Sequence, residues 1–246
     1  MVGIVVSPNK LSDRTTDELK QEVLELINGR DAEPLKEKVA FFKDVLTPYA
    51  EELQRRNPFP VPEDQIPVVL GVWSPVWSTI PFHDTLPGRV HHQSYQIFRE
   101  HGYYANIARY APGNQFSFLN RFSALLAAYD FMVMQSFAVE DGQWCIKNIG
   151  IEQAFRRRII PLTIDRAEEW FDNVVETRLQ EILEKAESDG ELELQKLDSN
   201  ARKRFEKTYR ATPLFEHVYV DHDFRLVKTQ REAKQRPSYT IAVRRR

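Results

Sequence analysis

Residues 128–139 read Ala-Tyr-Asp-Phe-Met-Val-Met-Gln-Ser-Phe-Ala-Val and residues 143–155 read Gln-Trp-Cys-Ile-Lys-Asn-Ile-Gly-Ile-Glu-Gln-Ala-Phe, with Glu140-Asp141-Gly142 between them. Both runs are rich in β-branched and aromatic residues at a period of two, and Asp-Gly is a tight-turn signal, so the stretch predicts a long β-hairpin. Outward from it, Val68 to Arg157 keeps the same texture, broken by Pro-Gly, Gly and Asp-Gly signals. That predicts strands near 67–79, 90–98, 103–111, 115–122, 128–139 and 143–155. Six consecutive strands with short connections predict an antiparallel meander, and closing it into a barrel would remove its exposed edges.

Helical periodicity flanks this region. Thr15-x-x-Glu18 has capping-box spacing before Leu19, Val23, Leu26 and Ile27, which predicts a helix over 16–28. Leu35, Val39, Phe42, Leu46, Tyr49 and Leu53 predict a second helix from Pro34 to about Arg56, kinked at Pro48, with Asn57-Pro58-Phe59-Pro60 ending all helix. After Pro161, Asp165-x-x-Glu168 opens a long amphipathic pattern whose apolar stripe is Phe171, Val174, Val175, Leu179, Ile182 and Leu183. Ser188-Asp189-Gly190 ends it, and a charged helix is expected around 195–209. Strand signal returns at Leu214–Val220, Phe224–Lys228 and Tyr239–Arg244. The expected organisation is an N-terminal helical segment over 1–62 and a β-barrel over 63–246 that carries a helical insertion at about 163–210.

Composition narrows the function classes. The chain of 246 residues is 42% hydrophobic and 11% aromatic with a net charge of −2, a globular composition that excludes general disorder. Cys145 is the only cysteine, which excludes an internal disulfide framework and cysteine-rich zinc sites and fits a reducing compartment. No run reaches the roughly eighteen apolar residues of a spanning helix. The opening Met1-Val2-Gly3-Ile4-Val5-Val6-Ser7 lacks the pattern of a signal or transit leader, so the expectation is that the protein stays where it is made. Residues 1–200 hold 21 basic and 31 acidic side chains, whereas 201–246 hold 13 and 5. The basic C-terminal region is a candidate contact for anionic membrane or an acidic partner, or a counterweight to the acidic helices of the same molecule. No nucleic-acid-binding motif accompanies it.

Two elements carry a family resemblance. The first is Glu52-Leu53-Gln54-Arg55-Arg56-Asn57-Pro58-Phe59-Pro60 followed by Leu70-Gly71-Val72-Trp73-Ser74-Pro75-Val76-Trp77-Ser78-Thr79. The second is Tyr219-Val220-Asp221-His222-Asp223-Phe224-Arg225-Leu226, with the apolar strand Tyr239-Thr240-Ile241-Ala242-Val243 after a polar spacer. Together they resemble the PAP/fibrillin family, the plastid-lipid-associated proteins of plastids and cyanobacteria, over about 50–80 and 214–244. The sequence departs from the pattern at Phe224, at the end of the Trp-containing strand, and in its helical insertion of about fifty residues. The resemblance implies a lipocalin-like antiparallel barrel that binds hydrophobic molecules at thylakoid membranes or lipid bodies. It singles out Gly71, Trp73, Tyr219, Asp221, Asp223, Arg225 and Arg244 as motif positions.

Strand spacing supplies the candidate ligand-lining side chains. Trp73 and Trp77 are four apart and so share a face of an unbroken strand, as do Tyr95 with Ile97, Phe116 and Phe118 with Phe122, and Phe131 with Val133 and Phe137. An aromatic interior of this kind fits either a filled core or a calyx for one small ligand. Arg225 and Arg244 are each candidates to lay a guanidinium over Trp73. Asp221 and Asp223 flank His222 at a predicted turn, where turn geometry competes with an acid/base or metal role. His83, His91, His92 and His101 lack helical metal-site spacing, and adjacent strand residues face opposite ways. Cys145 reads as a small buried residue, and no phosphate loop or nucleophile elbow occurs.

The expectation is therefore a non-catalytic protein without a cofactor. It carries or sequesters a carotenoid, quinone, tocopherol or fatty acid, peripheral to the thylakoid of a cyanobacterium, or in the stroma or plastoglobules as a mature plastid form. The competing expectation is an interaction module with a packed barrel, docking an enzyme or photosynthetic complex through helix 165–188 or the basic tail. The long helix is expected as a lid over the barrel mouth or as a docking surface.

Overall fold

Thr15 opens the first helix, α1 (Thr16–Ile27), as its spacing predicts: its Oγ1 accepts from the Glu18 N–H at 3.2 Å while the Glu18 carboxylate accepts from the Thr15 N–H at 2.7 Å. In this computed structural model the described residues are 11–81, 88–111, 127–187, 214–230 and 235–245. The predicted second helix is divided into α2 (Leu35–Phe41), a π-helical turn (Phe42–Leu46) and α3 (Thr47–Arg55). The interruption falls next to Pro48. That proline lies in the first turn of α3, where a missing N–H costs nothing, and the widened turn before it lets the Thr47 N–H and hydroxyl both meet the Phe42 carbonyl.

Asn57-Pro58 does not end all helix. A further helix, α4 (Pro62–Val69), follows at once, with Pro62 at its start and Glu63 and Asp64 in the first turn, where they complement the helix dipole. The predicted strand over 67–79 accordingly shortens to β1 (Gly71–Ser78). The remaining strands are β2 (Arg89–Phe98), β3 (Tyr103–Tyr110), β4 (Ala127–Glu140), β5 (Gln143–Arg157), β6 (Leu214–Val220), β7 (Phe224–Gln230) and β8 (Ser238–Arg245). The deciding hairpin forms as read: Glu140 pairs with Gln143 around Asp141 at φ 50° and Gly142 at φ 71°, the left-handed backbone a two-residue turn requires.

Every strand pairs antiparallel with its sequence neighbour, and β8 returns to β1, so the eight strands form a closed ring. β3 and β4 pair directly from Tyr103↔Ser136 to Tyr110↔Tyr129. The predicted strand 115–122, with Phe116, Phe118 and Phe122, lies outside the described residues, as does the predicted helix at 195–209. Among the described residues β5 and β6 are joined at Trp144↔Phe215.

Helices cover the ring on three sides. α1, the π-helical turn and α3 bury Leu19, Val23, Ile27, Leu46 and Leu53 against Tyr219, Leu226 and Ile241. α4 packs at one end, with Val68 and Val69 against Trp73, Phe98 and Val220. The insertion helix α5 (Ile164–Glu187) lays Phe171, Val174 and Ile182 on Ile97, Ile107, Met132, Met134 and Ile149 of β2–β5. It braces a wall of the ring and is not a lid, because the wall it meets is itself apolar. Gly150 permits that approach: a Cβ there would stand 2.6 Å from Ile182 Cγ2. The cap of α5 is Thr163, which accepts from the Ala167 and Arg166 N–H groups, rather than Asp165. Among the described residues no helix is long and apolar enough to cross a membrane.

Candidate functional site

Ladder partners share a face of the sheet, so the register separates the inward side chains from the outward ones. Trp73 pairs with Gln96 and Arg244, and from it the inward set continues through Phe98, Tyr104, Asn106, Val133, Gln135 and Phe137. Phe131, opposite Ala108, belongs to the same set. Trp77 does not. A bulge between Pro75 and Trp77 shifts the register, pairs Trp77 with Ile241, and turns its ring outward onto Phe42, 6.2 Å between centroids. Tyr95 and Ile97 also face outward, under α5, and the Tyr95 hydroxyl donates to the Leu162 carbonyl at 3.0 Å. Of the nine predicted lining residues, the ring thus brings Trp73, Phe131 and Val133 inside and puts Trp77, Tyr95 and Ile97 outside; Phe116, Phe118 and Phe122 fall among the undescribed residues.

The motif residues converge where α4 closes the ring. Trp73 is fully buried and its Nε1–H donates to the Val69 carbonyl at 2.7 Å. Arg244 lies over its ring at 4.3 Å and donates to the carbonyls of Val68, Leu70 and His222, holding the last turn of α4 in place. Gly71, at φ 107°, makes room for it: a Cβ there would be 2.8 Å from Arg244 Nη1. Asp221 is the hub of the β6–β7 turn. It accepts from the N–H groups of Asp223 and Phe224, from the Tyr219 hydroxyl at 2.7 Å and from Lys20 Nζ at 2.7 Å. Burial alone would raise its carboxyl; those donors overcome burial and hold it below the ordinary carboxylate range. Asp223 is exposed and gives its carbonyl to the Arg244 N–H. This is turn and anchor chemistry.

Arg225 reaches into the ring from β7. It is 1% exposed, its guanidinium lies 4.9 Å from the Trp73 ring and 4.8 Å from that of Phe98, and Nη2 donates to Gln96 Oε1. Gln96 donates in turn to Asn106 Oδ1 at 2.8 Å, and Asn106 to Gln135 Oε1. A chain of neutral amides therefore runs round the inner wall from one buried cation. The Nε and Nη1 groups of Arg225 have no hydrogen-bond partner, and among the described residues no carboxylate pairs with it. Burial, despite the nearby Tyr104 hydroxyl, pushes its pKa down to about 9, which leaves it cationic at neutral pH. Tyr104, stacked on Phe98 at 4.4 Å, has its hydroxyl pushed well above the ordinary phenol range by burial.

A second inward polar group stands at the β5–β6 seam. Gln65 Oε1 accepts from Trp144 Nε1 at 2.7 Å and meets His217 Nδ1 at 3.1 Å. An indole nitrogen only donates, so the Gln65 atom is an acceptor, His217 Nδ1 carries the proton, and Nε2 presents a lone pair without a partner. Burial first, and the Arg225 charge second, hold His217 neutral with its pKa well below the usual histidine value. A cleft of about 420 Å³ opens here, lined by Gln65, Trp144, Phe215, His217 and Lys228.

The other polar candidates are accounted for locally. His91 bonds Asp31 at 2.6 Å, His92 is exposed, and His101 accepts from the Tyr103 N–H; His83 is undescribed. Among the described residues no cluster of three potential metal ligands occurs. Cys145 is half-buried on the outer face of the hairpin rather than fully buried, 3.7 Å from Glu140, and partial desolvation with that charge raises its thiol pKa. In the basic C-terminal region Arg225 and Arg244 are internal and Lys228 pairs with Glu216 at 3.0 Å.

Sequence reasoning missed Gln96, Asn106, Gln135 and His217. For Gln96 and Asn106 the signal was alternation: each sits between apolar strand neighbours and reads as the solvent face of a one-sided sheet, whereas Gln135 and His217 have a polar neighbour, Ser136 and Glu216, and lack that signal. α5 covers the apolar face, so here the polar face is the inner one. No family model matches the chain, and no curated protein matches it at a significant level.

Proposed function

We propose that this chain is a lipocalin-like barrel protein that binds, carries or sequesters a hydrophobic small molecule without catalysing a reaction on it. The observation that carries the reading is the state of the inner wall. Val133 and Ile151 face each other across the β4–β5 ladder on the inward side, yet both are only half-buried, whereas the outward Met132 and Met134 beside them are sealed. A ring packed solid by its own side chains would bury its inward apolar residues at least as well as those on its outer wall. A cleft of about 420 Å³ lies beside the same ring, where Trp144 of β5 meets Phe215 of β6. The photosynthetic setting and peripheral thylakoid location are supported by the PAP/fibrillin resemblance of residues 50–80 and 214–244.

The test is organic extraction and mass spectrometry of the protein gently purified from a cyanobacterial host. A stoichiometric lipid, quinone, carotenoid or fatty acid is expected. Repeated absence of any such molecule, with no saturable uptake of added lipids, would overturn the carrier reading. One observation favours a second reading: the packing of α5 leaves Asp165, Glu169, Glu176 and Glu184 exposed, an acidic side on which a basic protein surface would dock. In that case charge reversal on α5 would abolish capture of a partner while leaving the extracted ligand unchanged.

A further inference from the structure

We infer that the ligand of the ring is an amphipathic acid whose carboxylate meets Arg225, a conclusion that rests on the carrier reading and selects within it. A guanidinium inside a protein is ordinarily matched by a carboxylate, because burying the charge alone is unfavourable. Elsewhere this chain follows that rule: Arg109 is bidentate to Asp130 at 2.6 and 2.8 Å, and Arg89 pairs with Asp31 at 3.2 Å. Arg225 is buried as deeply and, among the described residues, has no acid, only Gln96 on one nitrogen. Its Nε and Nη1 hydrogens point at no acceptor.

The surroundings define what fits. Gln96, Asn106 and Gln135 form a neutral chain in which Gln96 and Asn106 donate onward, away from Arg225, so the chain adds no charge to that of the one guanidinium it meets and suits a monoanion better than a phosphate dianion. Arg244, the other cation over Trp73, is already bonded to three carbonyls. Beyond the amide chain the inward wall turns apolar at Phe131, Val133 and Ile151, which suits an alkyl tail rather than a second polar group. Carotenoids, quinones and tocopherols lack an acid, so the unpaired cation favours the fatty-acid class over them.

The experiment compares oleate with oleyl alcohol, which has the same tail and no charge, by fluorescence displacement and calorimetry on the full chain at pH 7.5. Oleate is expected to bind one to one and at least about tenfold more tightly than the alcohol, as a charge-assisted bond to a buried guanidinium requires. Arg225→Gln should bring oleate to the alcohol's level while the alcohol changes by less than about twofold. Because the acid–alcohol comparison is made on the unaltered protein, it stands even where the variant fails to fold. In addition, ¹³C-carboxyl-labelled oleate should stay ionised when bound at pH values where oleate in micelles is protonated. Equal affinity for acid and alcohol would overturn the headgroup assignment and leave the carrier reading standing. Saturable binding of neither would overturn both.

Discussion

Replacing Asp221 with alanine removes the acceptor of four hydrogen bonds at once: two from the turn backbone, one from Tyr219 and one from Lys20 on α1. A buried donor left without its acceptor costs roughly 1–3 kcal/mol, and less where water can reach it. The Asp223 end of the turn is exposed, whereas the Lys20 and Asp221 side chains are each 16% exposed, so the backbone bonds are partly replaced by water and the other two are not. The expected loss is about 3 kcal/mol, a large part of the roughly 5–15 kcal/mol that holds a domain together. Asp221→Asn keeps an oxygen for the Asp223 and Phe224 N–H groups and gives up only the charge toward Lys20 and the stronger Tyr219 bond, so it should cost about 1 kcal/mol. Lys20→Met should cost about the same, and the two together less than their sum. Urea unfolding of the four proteins, with unchanged slope, measures these differences. If alanine at 221 costs less than 1 kcal/mol, or asparagine costs as much as alanine, then Asp221 is not the clasp between α1 and the β6–β7 turn, and a chemical role for it returns.

Two other perturbations follow from the packing. The folded pKa of His217 lies below its unfolded value near 6.5, so below about pH 6.5 the unfolded chain binds a proton that the folded chain does not. Stability from this group is complete above that pH and falls by up to about 1.4 kcal/mol per unit below it; His217→Gln should flatten urea midpoints between pH 7 and 5, while Asp221 and Asp31, whose pKa values are lowered, lose their contributions only below the ordinary carboxylate range. A methyl at Gly150 would press on Ile182, so Gly150→Ala should destabilise by about 1–3 kcal/mol and speed hydrogen exchange along α5, with Ile182→Ala, itself destabilising, relieving the clash; strictly additive effects of the two would refute that contact.

The ring and its hairpin were legible because local chemistry dictates them: Asp141-Gly142 fixes a turn, and the alternation on either side fixes two strands. α1 was legible for the same reason, through Thr15 and Glu18. What the sequence did not disclose were features decided by tertiary context. α4 is eight residues long and contains Pro67, a weak helix in isolation that forms because Val68 and Val69 fill the end of the ring and Arg244 binds its last carbonyls. The direction of Trp77 depended on one extra residue in β1, which no periodicity records. The inner face of β2 was misread at Tyr95 and Ile97 because α5 shields the more apolar face, and that is knowable only once the helix is placed.

The same inversion bears on what the interior is for. Against the desolvation of a guanidinium, several kcal/mol for an unpaired ion, Arg225 gains cation–π contacts with Trp73 and Phe98, about 0.5–2 kcal/mol each, and one bond to Gln96, about 1.5–3 kcal/mol. These contributions roughly cancel, so packing alone gives no reason to prefer arginine at this position over a well-fitting apolar side chain. Gln96, Asn106 and Gln135 extend the argument, since each is a polar group on an inner wall that leucine or valine would fill more cheaply. The outer walls show the chain capable of such packing, with Ile97, Ile107, Met132 and Met134 sealed beneath α5 and Leu226 and Ile241 beneath α1 to α3. The fold thus places its stability in the layers outside the ring and keeps a polar, singly charged surface within it. That division is unfavourable for a filled core and suited to a site completed by an acid with an apolar tail.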